Sequence, residues 1–203
     1  MRYTGPKARL CRRLCVNLFG TEKYTKILQK RPTKPGQHGP TAKFGKMSEY
    51  GRQLMEKQKA RIVFGIHEKQ MGNYVAKALK SSGDSSESLL RLLEIRLDNV
   101  VYVSQFAVTR TQARQMVSHG HFLLNGRRVD VPSIAVRAGD KIALRPKLKN
   151  SALYAGLSKL KDYSPKWLKV DLAAMSAEVL SLPEKDELEK SIDSQAIIEF
   201  YSR

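Results

Sequence analysis

Cysteine is scarce in this chain of 203 residues, where Cys11 and Cys15 are the only two, too few for a disulfide framework. They stand four apart, close enough to share a helix face. A structural zinc site asks for four ligands, however, and His38 is the only further candidate nearby. Free thiols in a reducing compartment are expected, with no metal and no cofactor. Long apolar runs are also lacking, since charges or glycine interrupt every hydrophobic stretch short of a membrane span. There is no Gly-rich nucleotide loop and no nucleophile set beside an acid–base pair, so an enzyme is not expected. Acids are rare at the start, the first being Glu22. An Arg-rich targeting leader has that character, but Gly5-Pro6 and the scarcity of serine speak against one.

What the chain has is positive charge: 37 Lys and Arg against 19 Asp and Glu, a net of +18. Residues 1–61 hold 16 basic against 3 acidic side chains and residues 89–145 hold 9 against 4, while the rest is balanced. An uneven field of this size favours a polyanion, and without a membrane span that polyanion is nucleic acid. Neither a membrane nor a small-molecule substrate is expected. A hydrophobic content of 41% is enough for one large core or two small ones.

The chain is organised around Leu89 to Arg145. Leu89, Leu93, Leu97 and Val100 recur at helical spacing, leaving Arg91, Asp98 and Asn99 largely off the buried stripe. Thr109 with Gln112 makes a capping box for a second helix that Gly120 stops. Ala113, Met116 and Val117 face a core there, while Arg110 and Arg114, four apart, define a wet, positive side. Asn125-Gly126 suits a type I′ turn between His121–Leu124 and Arg127–Val131, and Gly139-Asp140 precedes an alternating strand, Lys141–Arg145.

On either side the pattern changes. Residues 1–47 form a basic arm with a short helix from Ala8 to Asn17, too little apolar surface for a core, and expected disorder until it lies along phosphates. Ser48 caps a helix to about Phe64 with Tyr50, Leu54, Ala60 or the Arg61 stem, and Ile62 roughly on one side, and a second helix carries Met71, Tyr74, Val75, Ala78 and Leu79. The polar run Ser81–Ser88 marks a boundary. Beyond Arg145 come a helix through Leu153, Tyr154, Leu157 and Leu160, then strands at Trp167–Val170 and Glu178–Leu182 that extend the sheet. The last residues, Gln195 to Arg203, resemble the closing helix of a known family, with Ile197, Ile198 and Tyr201 placed to pack on the first helical pair. The expected fold is α+β: a basic arm (1–47), a discontinuous helical domain (48–88 and 183–203), and an inserted α/β RNA-binding module (89–182) with a small, mainly antiparallel sheet.

Arg96-Leu97-Asp98-Asn99-Val100-Val101-Tyr102, Ala113-Arg114-Gln115, Ser118-His119-Gly120-His121 and Leu124-Asn125-Gly126-Arg127 resemble the RNA-binding module of the ribosomal protein four family. Arg2-Tyr3-Thr4-Gly5-Pro6, Arg12-Arg13, Pro35-Gly36-Gln37-His38-Gly39 and Glu49-Tyr50-Gly51-Arg52-Gln53-Leu54 carry the resemblance into the arm and first helix. Many members hold zinc on four arm cysteines. Here only Cys11 fits such a position, which is similar to the zinc-free branch.

The resemblance implies a cytoplasmic constituent of a bacterial-type small ribosomal subunit. Such a protein binds 16S ribosomal RNA at a multi-helix junction early in assembly, meets ribosomal protein five at an interface linked to accuracy, and lies near messenger RNA as it enters. Arg2, Arg9, Arg12, Arg13, Arg31, Lys34 and His38 would thread between RNA helices. Lys43 and Lys46 would lie toward messenger RNA. Arg52, Lys57 and Lys59 would add contacts from the helical pair, and Arg110, Arg114, His119, His121, Arg127 and Arg128 would form the phosphate-facing surface of the module. Two rivals share the module. A free-standing RNA-binding factor would not need the arm, and a pseudouridine synthase would use Asp98 as its nucleophile. Ile95 stands where that enzyme has glycine, and only 58 residues follow Arg145, too few for its catalytic domain.

Overall fold

The computed structural model describes residues 3, 5–41, 47–149, 151, 153–154 and 165–203. The fold is α+β, and the chain divides into two compact units, Met1–Ser86 with Lys190–Arg203, and Glu87–Glu189. The second is thus inserted in the sequence of the first.

In the first unit, α1 (Lys7–Leu14) and α2 (Glu22–Lys30) pack together. The arm was expected to lack a core, yet it has a small one. Cys11 and Leu18 are buried, Phe19 and Tyr24 stack with ring centroids 5.3 Å apart, and Lys7 Nζ lies 5.0 Å from the Phe19 centroid. Cys15, exposed, closes α1 in the left-handed conformation. The helix α2 had no counterpart in the sequence reading.

Helix α3 (Glu49–Phe64) starts as its residues dictate: Ser48 Oγ accepts from Gly51 N at 3.2 Å, and Gly65 ends it at a φ of 62°. Its buried stripe is not the one expected. Gln53, Lys57, Ala60, Val63 and Phe64 face inward, whereas Tyr50 is half exposed. The reason is α8 (Ser194–Tyr201), which packs on α3 and α4 (Glu68–Lys80) and supplies polar partners to the inward face. Gln53 Nε2 donates to Glu199 at 2.9 Å, and Lys57 Nζ bonds Glu68 at 2.8 Å while lying 4.4 Å from the Phe200 centroid. Tyr201 Oη donates to Glu68 at 2.6 Å.

In the second unit, the helix expected through Leu89 and Val100 is two: α5 (Ser85–Glu94) and α6 (Leu97–Val103). Backbone bonds from Leu97 N to Ile134 O (2.8 Å) and from Val136 N to Ile95 O (2.9 Å) pull the chain out of the helix between them. The polar run does not remain a loop to Ser88, since α5 begins within it and Asp84 Oδ1 accepts from Ser86 N at 2.8 Å. Helix α7 (Arg110–Ser118) packs on α6, capped by Thr109 Oγ1 at 3.2 Å from Gln112 N.

The sheet is antiparallel throughout, in the order β2 (Arg127–Val129), β1 (Phe122–Leu124), β3 (Lys141–Leu144), β5 (Ser176–Val179), β4 (Leu168–Asp171). Register Phe122↔Val129 and Phe122↔Leu144 places Phe122, Val129 and Leu144 toward the core, with Leu123 and Arg128 on the opposite face. The core joins Leu97, Val101, Phe106, Met116, Ile142, Tyr154 and Trp167, among others. The expected helix through Leu157 and Leu160 lies outside the described residues.

Candidate nucleic-acid interface

The side of α7 read as wet and positive is instead the edge of a buried polar network. Arg110 donates through Nε to Asn99 Oδ1 (2.9 Å), pairs with Glu189 (2.8 Å) and lies 4.7 Å from the Tyr102 ring centroid. Arg114 pairs with Asp98 at 3.2 Å, and Asp98 is also bonded by Arg96 through two nitrogens at 3.0 and 2.8 Å. Asp98 and Asn99 are buried, contrary to the helical-stripe reading, and Arg96 is 1% exposed. Beside them Glu94 accepts from Asn99, and burial pushes its carboxyl up to about 7 against the opposing pull of Arg110 and that hydrogen bond. The carboxylate that a synthase would use as nucleophile is therefore bonded by two arginines.

A different group of cations faces outward. The Asn125-Gly126 turn has positive φ at both residues, 51° and 80°, and carries Arg127 and Arg128, both exposed. At the other end of β1, Gly120 turns the chain at a φ of 67°, and a methyl there would collide with the Arg128 guanidinium. Arg145 Nη1 donates to Gly120 O at 3.2 Å. His119, exposed, and His121, half-buried, flank the glycine with ring centroids 6.0 Å apart. Tyr154 Oη lies 2.7 Å from His121 Nδ1, and burial pushes the tyrosine up to about 12. Burial first, then His119 and Arg145, hold His121 below its usual range. No carboxylate among the described residues pairs with Arg127, Arg128 or Arg145. Arg145 was absent from the residues expected at the site. Its signal was its place at the end of the alternating run 141–145, opposite His121.

Elsewhere the expected residues divide. Arg9, Arg13, Arg31, Lys34 and His38 are exposed on the arm. Arg12 is turned to the protein, its Nε donating to Thr33 O at 3.0 Å and its Nη2 to Lys34 O at 3.2 Å. Arg52 is exposed and pairs with Glu49 (2.9 Å) and Asp193 (3.3 Å), the Glu49 hydrogen bond chiefly raising the guanidinium further. Lys59 pairs with Glu56 at 3.3 Å, and Lys57 is buried between Glu68 and Phe200. Arg2, Lys43 and Lys46 lie outside the described residues. No group of three or more His, Cys, Asp or Glu is placed to hold a metal among the described residues.

Two family models match in succession: Ribosomal protein S4/S9 N-terminal domain over residues 2–94 and S4 domain over residues 95–142. Small ribosomal subunit protein uS4 of Roseiflexus castenholzii is 46% identical over 206 aligned residues, covering 100% of this chain and 99% of the relative. The uS4 proteins of Desulfitobacterium hafniense and of Geobacillus sp. (strain WCH70) are 46% and 45% identical at the same coverage. These relatives are ribosomal proteins and not enzymes, which removes the synthase alternative. With both models in register and the likeness running the full length, the chain belongs to the uS4 family of small ribosomal subunit proteins.

Proposed function

We propose that this constituent of the small subunit binds its ribosomal RNA directly at a multi-helix junction, and that this binding helps nucleate the body of the particle. The observation that carries the reading is the outward basic cluster of Arg128 and Arg145 at Gly120, with Arg127 beside the turn at the other end of β1; among the described residues none of the three has a carboxylate partner, and all sit on a packed module. An A-form helix hides its major-groove edges, so a junction is recognised through phosphates, 2′-hydroxyls and shape, for which rigidly placed arginines are suited. Arg9, Arg13, Arg31, Lys34 and His38 extend the contact along the arm, and Arg52 and Lys59 add weaker ones. Arg110, Arg114, Lys57 and Arg12 support it from within, through their protein partners. Lys43 and Lys46 are assigned to messenger RNA near its entrance, and ribosomal protein five is the proposed protein neighbour in the cytoplasmic particle.

The test is binding of the purified protein to a junction transcript and to a duplex of equal length across a salt series. Preference for the junction that survives raised salt is the expected result. Equal binding that fades together as salt rises would overturn junction recognition.

A further inference from the structure

The basic cluster contains one ring that is held by a buried tyrosine. Tyr154 is 1% exposed, and among the described residues its hydroxyl has a single partner, His121 Nδ1 at 2.7 Å. Two arrangements satisfy that distance. If Nδ1 carried the hydrogen, the tyrosine hydrogen would be buried with no acceptor, a costly state. If the tyrosine donates, Nδ1 is the acceptor, the buried tyrosine hydrogen is satisfied, and the imidazole hydrogen sits on Nε2. That second arrangement leaves Nε2 without a protein partner among the described residues, on a half-buried ring beside Gly120.

We propose that Tyr154 is a positioning residue that fixes His121 as an uncharged Nε2–H donor, and that this hydrogen bond is given to one backbone oxygen of bound RNA. The proposal rests on the RNA-binding reading above. The groups around the ring are consistent with it. Arg145 and Arg128 at Gly120 and His119 alongside are all basic or neutral, and among the described residues no carboxylate faces the ring to favour an imidazolium. The two arginines supply charge for phosphates, and the neutral donor adds direction without further repulsion between cations. The acceptor has two sources of the same chemistry, a ribose 2′-hydroxyl oxygen or a non-bridging phosphate oxygen.

The experiment uses the full-length protein and the junction transcript, in a His119→Gln background so that only one histidine near the cluster titrates. His121→Ala is expected to weaken binding about tenfold, the size of one hydrogen bond, while His121→Gln, which keeps a neutral donor near the same place, stays within about threefold of the parent. Tyr154→Phe frees Nδ1 to take a proton, so its affinity should rise as pH falls from about 7.5 to 5.5, while the parent stays flat over that range. Nitrogen NMR of labelled histidine reads the tautomer directly in protein without RNA. A proton on Nδ1 in the parent, or identical pH profiles for the parent and Tyr154→Phe, would overturn the proposal. Transcripts with single 2′-deoxy or methylphosphonate substitutions then identify the oxygen: the effect of His121→Ala vanishes on the one that removes the acceptor. If neither substitution class removes it, the proposed RNA contact is wrong even though the tautomer stands. A parent protein that binds no junction RNA would instead sink the broader reading, while the NMR result would still stand.

Discussion

Asp98 illustrates how much one side chain can carry without touching a ligand. It is 4% exposed and bonded by Arg96 and Arg114. Asp98→Ala leaves the buried Arg96 guanidinium without its carboxylate, and a loss of about 3 to 5 kcal/mol in unfolding free energy is expected by chemical denaturation. A loss under about 1 kcal/mol would show that the network contributes little. Glu94 makes a second, pH-dependent case. Its carboxyl is raised from 4.5 to about 7 in the folded chain, so between those values the native state holds a proton that the unfolded chain has released. Stability therefore falls as pH rises through that window, by up to about 3 kcal/mol, and Glu94→Gln should flatten the decline. Thermal melts from pH 5 to 8 compare the two proteins, and equal slopes would mean that the charge is accommodated at no cost.

At the scale of elements, what was legible in the sequence was what is decided locally. Ser48 and Thr109 as caps, Asn125-Gly126 as a two-residue turn and Gly65 as a helix stop each depend on neighbours within a few positions. The break between α5 and α6 was not legible, because the groups that cause it, Ile134 and Val136, lie nearly forty positions away. The inward face of α3 was misread for the same reason: Gln53 and Lys57 look like surface residues until Glu199, Glu68 and Phe200 are brought to them. The site followed suit. The exposure of the hairpin arginines was legible from the turn that presents them, whereas Arg110 and Arg114 were given to solvent because their carboxylate partners could not be assigned from spacing. Gly120 links the element to the site. Gly120→Ala places a side chain at a φ of 67° and against Arg128, so it should cost about 1 to 2 kcal/mol in stability and also weaken junction binding by displacing the guanidinium. Unchanged affinity in a folded Gly120→Ala protein would separate Arg128 from the RNA contact.

For the whole molecule, the charge is concentrated in two stretches of the chain, residues 1–61 and 89–145, between which the proposed RNA contact divides. Deleting residues 1–41 removes many cations at once, and it should reduce the slope of log affinity against log salt more than the double change Arg127→Ala, Arg128→Ala. The double change should cost more of the preference for junction over duplex. Titrations of both variants at four or five salt concentrations decide this, and equal slopes would erase the division of labour.

The closing helix also sets an order of events during synthesis. Every residue of the inserted unit, Glu87–Glu189, leaves the translating ribosome before α8, although α3 and α4 need α8 to cover their inner faces. Chains emerge from the amino terminus and fold by units. A chain cut short after Glu189 would therefore keep every residue of the sheet module, Arg127 and Arg128 included, but lack the helix that covers Gln53 and Lys57.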